Sequence, residues 1–394
     1  MGVAMQFGMP EASDEVMTRW AWTEIDLSAI KANVSEVRKR VGAHRRICAV
    51  VKADAYGHGA NRVARAALDA GASVLAVATV DEGIALRKAR IDAPILILSE
   101  PPLSAIPLVL DNDLVPAVTT MEFAINLGEQ ADARGQVARY HLAVNTGMNR
   151  IGVPYDEVTE FLDAISFHRG LELGGTFTHF ATADEHDDFD FKRQLGRFND
   201  AIGSMRASGY DPGIVHCANS ASIIRYPETY FDMVRMGIIL YGLHPSRVTY
   251  GKMKLRPAMS VHARVTHVVE PQVGEGVSYG LTYRVPGYTQ IATIPIGYAD
   301  GLRRDLSGRM MLLYHGRRVP QVGRICMDQM MFEVDSKQGI IDPLPPVEVG
   351  DEVVIVGAQG DDHITLDLMA DELGTINYEL ACGFGMRLPR LYRD

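Results

Sequence analysis

Four charged or titratable side chains stand where apolar runs of this chain end or break. Lys52 directly follows Cys48–Val51, and Arg150 follows Leu142–Val144 through Thr146–Gly147. His179 ends another run, and Arg235 interrupts a fourth. A lysine closing a buried strand is costly unless it is neutralised, paired or used covalently. An amine so used attacks a carbonyl or takes up a proton. Taken alone, the commoner case is a lysine whose amine reaches solvent at the strand end.

Other signatures compete with this one. Gly57-His58-Gly59-Ala60-Asn61-Arg62 starts like a dinucleotide-binding turn, but Arg62 stands at its third glycine. Gly276-Val277-Ser278-Tyr279-Gly280 matches a nucleophile elbow, which needs a strand, a turn and a helix. The residues that follow, Leu281–Gly287, contain Pro286 and read as extended, so Ser278 is a poor esterase nucleophile. His179, Asp184, Glu185 and His186 are possible metal ligands, yet their acids read more plainly as a solvated loop. No metal site is expected.

The elements that must position these groups repeat from about residue 24 to 242. Apolar runs, rich in β-branched residues, lie at Ile47–Val51, Val74–Ala78, Ile95–Leu98, Leu114–Val118, Tyr140–Val144, Gly175–Phe180, Ile214–Cys217 and Met233–Leu240. Helical spacing fills the intervals at Leu27–Val41, Asn61–Ala70, Glu82–Arg90, Met121–Ala133, Asp156–Phe167 and Asp190–Ala207. Strands buried on both faces and separated by helices imply parallel βαβ units. Eight runs in about 220 residues fit a (β/α)8 barrel better than an open doubly wound sheet. In a barrel, catalytic groups gather at the C-terminal ends of the strands, where Lys52, Arg150, His179 and Arg235 fall.

After Gly242 the rhythm changes to strands at His262–Glu270, Gln290–Ile296, Met310–Tyr314, Met330–Val334 and Glu352–Val356, with a single helix at Thr365–Leu373. The expected organisation is a tail over 1–19 whose order the sequence leaves open, a barrel over 20–247 and a mainly β domain over 248–394. The strand near 20–26 is a candidate to pack with the second domain.

Composition narrows the function. With 39 basic against 49 acidic residues in 394, the net charge of −10 argues against nonspecific nucleic-acid binding. Four cysteines, none in a C-x-x-C pair, read as reduced thiols in so long a chain. No window has the apolar length of a membrane span, and the first nineteen residues lack the pattern of a signal peptide. A cytoplasmic protein is the expectation.

The company Lys52 keeps outweighs its isolated reading. Ala49-Val50-Val51-Lys52-Ala53-Asp54-Ala55-Tyr56-Gly57-His58-Gly59 resembles the pyridoxal-phosphate (PLP) lysine motif of the alanine racemase family. The resemblance continues through Trp22–Leu27, Thr146–Gly152, Thr178–Asp184, His216–Ser220 and Val234–Ile238. In the second domain it runs through Val277–Gly280, Ile296–Gly301, Gly323–Asp328 and Thr375–Glu379. It covers nearly everything from about residue 20 onward.

The resemblance implies a PLP enzyme that interconverts L- and D-alanine, supplying D-alanine for peptidoglycan. Lys52 would bond PLP and act as the base on one face of the substrate, and Tyr279 as the base on the other. Tyr279 would come from the partner in a homodimer with shared active sites. His179 and Arg235 resemble the relay between this tyrosine and the pyridine nitrogen. Phosphate binding would fall to Tyr56, Ser220, Tyr378 and the N–H groups of Gly237 and Ile238. Arg150 would hold the cofactor's phenolic oxygen and the substrate carboxylate, with Met327 and Tyr298 lining the substrate pocket.

Three positions depart from the family. Ala143 stands where many members carry a carbamylated lysine, seven residues before Arg150, and Asn145 stands where an aspartate is usual. Residues two apart on a strand share a face, so both changes border one spot. A buried Arg150 would then want another counter-charge, and an anion such as chloride is the expectation. Arg303 replaces a frequent proline. Alternatives to alanine racemisation are a broader racemase that accepts serine and a PLP-binding protein without turnover. A Ser278 hydrolase is the remaining one.

Overall fold

The computed structural model of the chain describes residues 18–335 and 344–394. Of the expected 1–19 tail, residues 1–17 lie outside the described residues. The chain divides into two units. One joins Ser28–Ala55 to Gly59–Arg256, and the other comprises residues up to Leu27, Tyr56–His58 and Pro257–Asp394.

The first unit is a nearly closed parallel barrel. Its strands are Arg46–Val50, Val74–Val77, Ile95–Ile97, Val115–Val118, Ala138–Asn145, Leu171–Phe177, Ile214–His216 and Met233–Met236. Neighbours in sequence pair in parallel, and the last strand returns to the first through Met233↔Arg46 to Met236↔Ala49. The remaining gap is bridged where Asp232 N donates to Val215 O (3.1 Å) and Arg235 N to Ala218 O (2.9 Å). That return of the last strand to the first sets the open doubly wound sheet aside. The strands are short and almost wholly apolar because helices cover one face and the barrel core the other.

The helices follow their apolar spacing. Leu27–Val41 buries Ile30, Val34, Val37 and Val41. Phe189–Ala207 buries Phe191, Phe198 and Ile202, and with them the polar Gln194. The expected strand Gly175–Phe180 begins earlier and ends at Phe177, so His179 lies just past its end. The run Met233–Leu240 is strand only to Met236, because Ile238–Tyr241 winds into a 3₁₀ turn.

The second unit is a ten-stranded sheet. Ala21–Asp26 belongs to it, antiparallel to Met259–Arg264 and parallel to Arg390–Arg393. The expected strand His262–Glu270 is two strands, Met259–Arg264 and His267–Val269. A second helix, Asn377–Gly383, corrects the expectation of one. It follows Leu366–Leu373 almost at once, after Gly374 takes a left-handed φ of 67° that ends the first helix. Seven residues are too few to display a helical period.

Candidate active site

The barrel places Lys52 two residues past the end of the strand Arg46–Val50, and the chain beyond it turns in an unusual way. Ala53, Asp54, Ala55 and Tyr56 all have φ between 51° and 54°, a left-handed turn built without glycine. Each such residue costs roughly 1–2 kcal/mol relative to a right-handed one. Local hydrogen bonds hold it. Glu82 Oε1 accepts from Ala53 N (2.6 Å), Asp54 Oδ1 accepts from Ala60 N (2.8 Å), and Ala55 N donates to Val51 O (2.9 Å). Strain maintained in this way marks a segment whose geometry is prescribed.

Deeper in the barrel, Arg235 is buried and organises everything around it. Its Nη1 donates to His216 Nδ1 (2.8 Å) and its Nη2 to His179 Nδ1 (3.1 Å) and to Thr178 O (2.7 Å). Burial lowers its pKa to about 10, still well above neutrality, so it remains a cation. A guanidinium only donates, so both imidazoles accept at Nδ1 and carry their proton on Nε2. His216 then passes a hydrogen bond from Nε2 to His141 Nδ1 (2.8 Å). The result is a directed chain from Arg235 through His216 to His141.

All three imidazoles are held neutral. Desolvation pushes His141 down to about 3, with Arg235 adding repulsion. His216 and His179 are lowered by burial first and by Arg235 second. Arg150 and Lys52 also repel a proton on His179, which puts all four expected barrel groups in one electrostatic neighbourhood. Phe177 floors this cluster, stacked on His216 at 5.0 Å with Arg235 lying 5.4 Å from its ring centre. A side chain at Gly175 would put its Cβ 2.7 Å from His141 Cε1, so glycine there makes room for the imidazole.

Ser220 opens the short helix Ser220–Arg225, and its Oγ accepts from Gly237 N (3.1 Å). Ile238, next in the chain, starts the 3₁₀ turn Ile238–Tyr241. In the second unit, Tyr56 is buried and its ring lies 6.1 Å from that of Tyr378. Burial raises its phenol pKa.

The remaining expected residues are in the second unit and are open to solvent: Tyr279 at 68%, Met327 at 52% and Tyr298 at 41% exposure. Tyr279 and Met327 line one groove with Val273 and Leu281. The Tyr279 backbone is bracketed by positive φ at Ser278 (64°), Gly280 (73°) and Leu281 (47°). Ser278 Oγ donates to Arg324 O (2.6 Å), and a two-residue strand precedes it, so no nucleophile elbow forms.

Arg150 is exposed in the single chain. The spot beside Ala143 is closed by an apolar cluster of Ala117, Ala143 and Phe177, with Ile151 packed against it. Asn145 is spent on its own loop, accepting from Gly147 N and Asn149 N (3.1 Å each) and donating to Asn149 Oδ1 (3.1 Å). Arg303 also finds a reason, since its Nη1 bonds Glu379 Oε1 at 2.7 Å.

Sequence reasoning missed the support. Gln194 is buried and ties two site loops, donating to His179 O (3.1 Å) and Thr146 Oγ1 (3.2 Å) while accepting from Ala181 N (2.9 Å). A glutamine on an otherwise apolar helix face was its only signal. His141 and His216 stood in plain view on strands, but nothing in the sequence paired them.

Comparison with known proteins places this arrangement. The family model for the alanine racemase N-terminal domain matches residues 25–245, and that for the C-terminal domain matches 258–392. The chain belongs to the alanine racemase family. The alanine racemase of Desulforamulus reducens is 45% identical over 373 residues, covering 94% of this chain and 98% of that one. The crystal structure of Bacillus anthracis alanine racemase with bound L-Ala-P superposes with a TM-score of 0.88 at 39% identity, over 96% of each chain. A histidine racemase from Leuconostoc mesenteroides superposes with a TM-score of 0.87 at 30% identity, over 96% of this chain and 99% of that one. Alanine racemases are PLP-dependent isomerases, and this chain is one of their family at nearly full length. Among the described residues no helix is long and apolar enough to cross a membrane.

Proposed function

We propose that this enzyme interconverts L- and D-alanine with PLP bound at Lys52, working between two bases. The donor set fits that cofactor. A lysine stands at a strand end, a buried guanidinium is flanked by neutral imidazoles, and a serine hydroxyl meets a glycine N–H. PLP supplies an electron sink that acidifies the substrate's α-proton. Arg235 would hold the pyridine nitrogen, and as a cation that keeps its protons it would donate a hydrogen bond there without protonating it. Such a partner would limit how much charge the ring takes up and so favour return of the proton to carbon over transamination.

The observation that carries the proposal is the Arg235–His179 hydrogen bond. Because His179 Nδ1 accepts from Arg235, its Nε2 is a donor, and a donor favours an acceptor such as a phenolate. The partner subunit's Tyr279 is the proposed phenol, serving as base on the face opposite Lys52. Its exposure in a single chain agrees with a role toward a second copy. Phosphate is assigned to Ser220, Tyr56, Tyr378 and the N–H groups of Gly237 and Ile238. Arg150 is assigned to the cofactor's phenolic oxygen and the substrate carboxylate, with Met327 and Tyr298 at the side-chain pocket. We assign the enzyme to the cytoplasm and to the supply of D-alanine for peptidoglycan.

The 30% identical histidine racemase favours one second reading, a broader substrate range on the same bases. Chiral chromatography of the PLP-loaded enzyme on L-alanine and on L-serine separates the two, with Lys52→Ala as control. D-alanine far in excess of D-serine supports alanine, and comparable D-serine supports the broad enzyme. No D-product from either sinks both.

A further inference from the structure

We infer that an alternating chain of four charges, Arg19–Asp300–Arg387–Asp328, positions the pocket-lining residues Tyr298 and Met327 and thereby sets how large a substrate side chain is accepted. The inference rests on the assignment of those two residues to the substrate pocket.

Asp300 is completely buried, and a lone carboxylate there would be costly. It is fully engaged instead. Arg19 Nη1 reaches its Oδ1 at 2.5 Å and Nη2 its Oδ2 at 2.6 Å, a two-pronged pairing that fixes direction as well as distance. The same Nη2 donates to Pro295 O (2.7 Å). Gly297 N donates to Asp300 Oδ2 (2.9 Å), and this bond folds Tyr298–Asp300 into a single 3₁₀ turn. The carboxylate of Asp300 therefore shapes the turn that carries Tyr298, and Arg19 orients that carboxylate.

The turn is locked to the Met327 loop. Tyr298 N donates to Cys326 O and Ala299 N to Met327 O, both at 3.0 Å. A Cβ at Gly297 would lie 2.3 Å from Cys326 O, so the approach is as close as a backbone permits. Arg387 joins the two segments by charge, with Nε 3.4 Å from Asp300 Oδ1 and Nη2 2.5 Å from Asp328 Oδ1. Both pocket residues thus move together or not at all. Side-chain burial grades along the chain, from 0% exposed at Asp300 and 21% at Arg19 to 47% at Arg387 and 56% at Asp328. Arg19 is the strong link, because a half-exposed ion pair contributes little by itself.

The test compares kcat/KM for L-alanine and L-serine in the PLP-loaded wild type, Arg19→Gln, Arg19→Lys, Arg387→Gln and Tyr298→Ala, with thermal midpoints for each. Arg19→Gln is expected to raise the serine-to-alanine ratio about fivefold, chiefly through a higher KM for alanine, a small part of what one methylene in a pocket can be worth. Arg19→Lys recovers part of the change, and Arg387→Gln shifts the ratio in the same direction by about twofold. A role in folding alone would lower both activities together and leave the ratio at its wild-type value, and that outcome overturns the inference. Should Arg19→Gln fail to fold, Arg387→Gln decides in its place. Tyr298→Ala tests the underlying assignment. An unchanged ratio there removes the pocket reading and this inference with it, whereas a shifted ratio there with none at Arg19 removes only the inference.

Discussion

The barrel's site residues and those of the β unit are built on opposite plans. Around Arg235 the guanidinium and two imidazoles are tied to one another by hydrogen bonds within the chain, and the imidazoles are dry enough to stay neutral. Tyr279, Met327 and Tyr298 instead face solvent, although their backbones are as tightly constrained. On the proposed function the difference separates two requirements of one reaction. A cofactor that must be tuned needs a preorganised, water-poor surround, since hydrogen bonds and charges act more strongly there. A group presented to another subunit has to stay exposed until assembly, so only its backbone can be preset.

The largest effect that would break this contrast is at Lys52. Lys52→Ala is expected to remove racemisation by at least ~10⁴-fold, since the proposed covalent anchor and one proposed base are both lost. Chiral chromatography measures it, and the visible absorbance of bound PLP reports the lost attachment independently. Tyr279→Phe is expected to cost about 10²–10⁴-fold in racemisation. It should still exchange the α-proton of one enantiomer with solvent deuterium, as followed by NMR. Loss of exchange from both enantiomers would mean that Tyr279 does more than serve one face.

A stability experiment sharpens the contrast from the barrel side. In the unfolded chain an imidazole binds a proton near pH 6.5, whereas burial keeps His141, His179 and His216 neutral far below that. Below about pH 6.5 the unfolded state therefore binds more protons. Stability is complete above that pH and is lost as pH falls, for His141 by about 1.6 kcal/mol between pH 6.5 and 5. Urea titrations at pH 8, 6.5 and 5 measure the slope, and His141→Gln should flatten it. The smallest effect belongs to the β unit's surface. Arg303→Ala, which breaks a half-exposed pair with Glu379, is expected to leave the unfolding midpoint unchanged in the same titration.

Much of this protein could be read in advance, and the reasons are specific. Val74–Val77, Ile95–Ile97 and their neighbours announce a parallel barrel because strands covered on both faces must be apolar throughout. Lys52 was legible because it follows such a strand and keeps recognisable neighbours. The helix Asn377–Gly383 was not, being too short to show a period. Nor was the left-handed turn at Ala53–Tyr56, since alanine carries no signal for positive φ.

By itself the sequence determined the order of elements, the family and the kinds of side chain at the site, because periodicity and motif spacing are local properties of the chain. Partnership belonged to the tertiary structure. His141 and His216 lie 75 residues apart, and Arg19 and Asp300 lie 281 apart. The fill beside Ala143 was decided there too, by Ala117 and Phe177 from other strands. Burial and hydrogen-bond direction depend on what the rest of the chain brings alongside, and only the folded barrel and sheet bring those groups within reach.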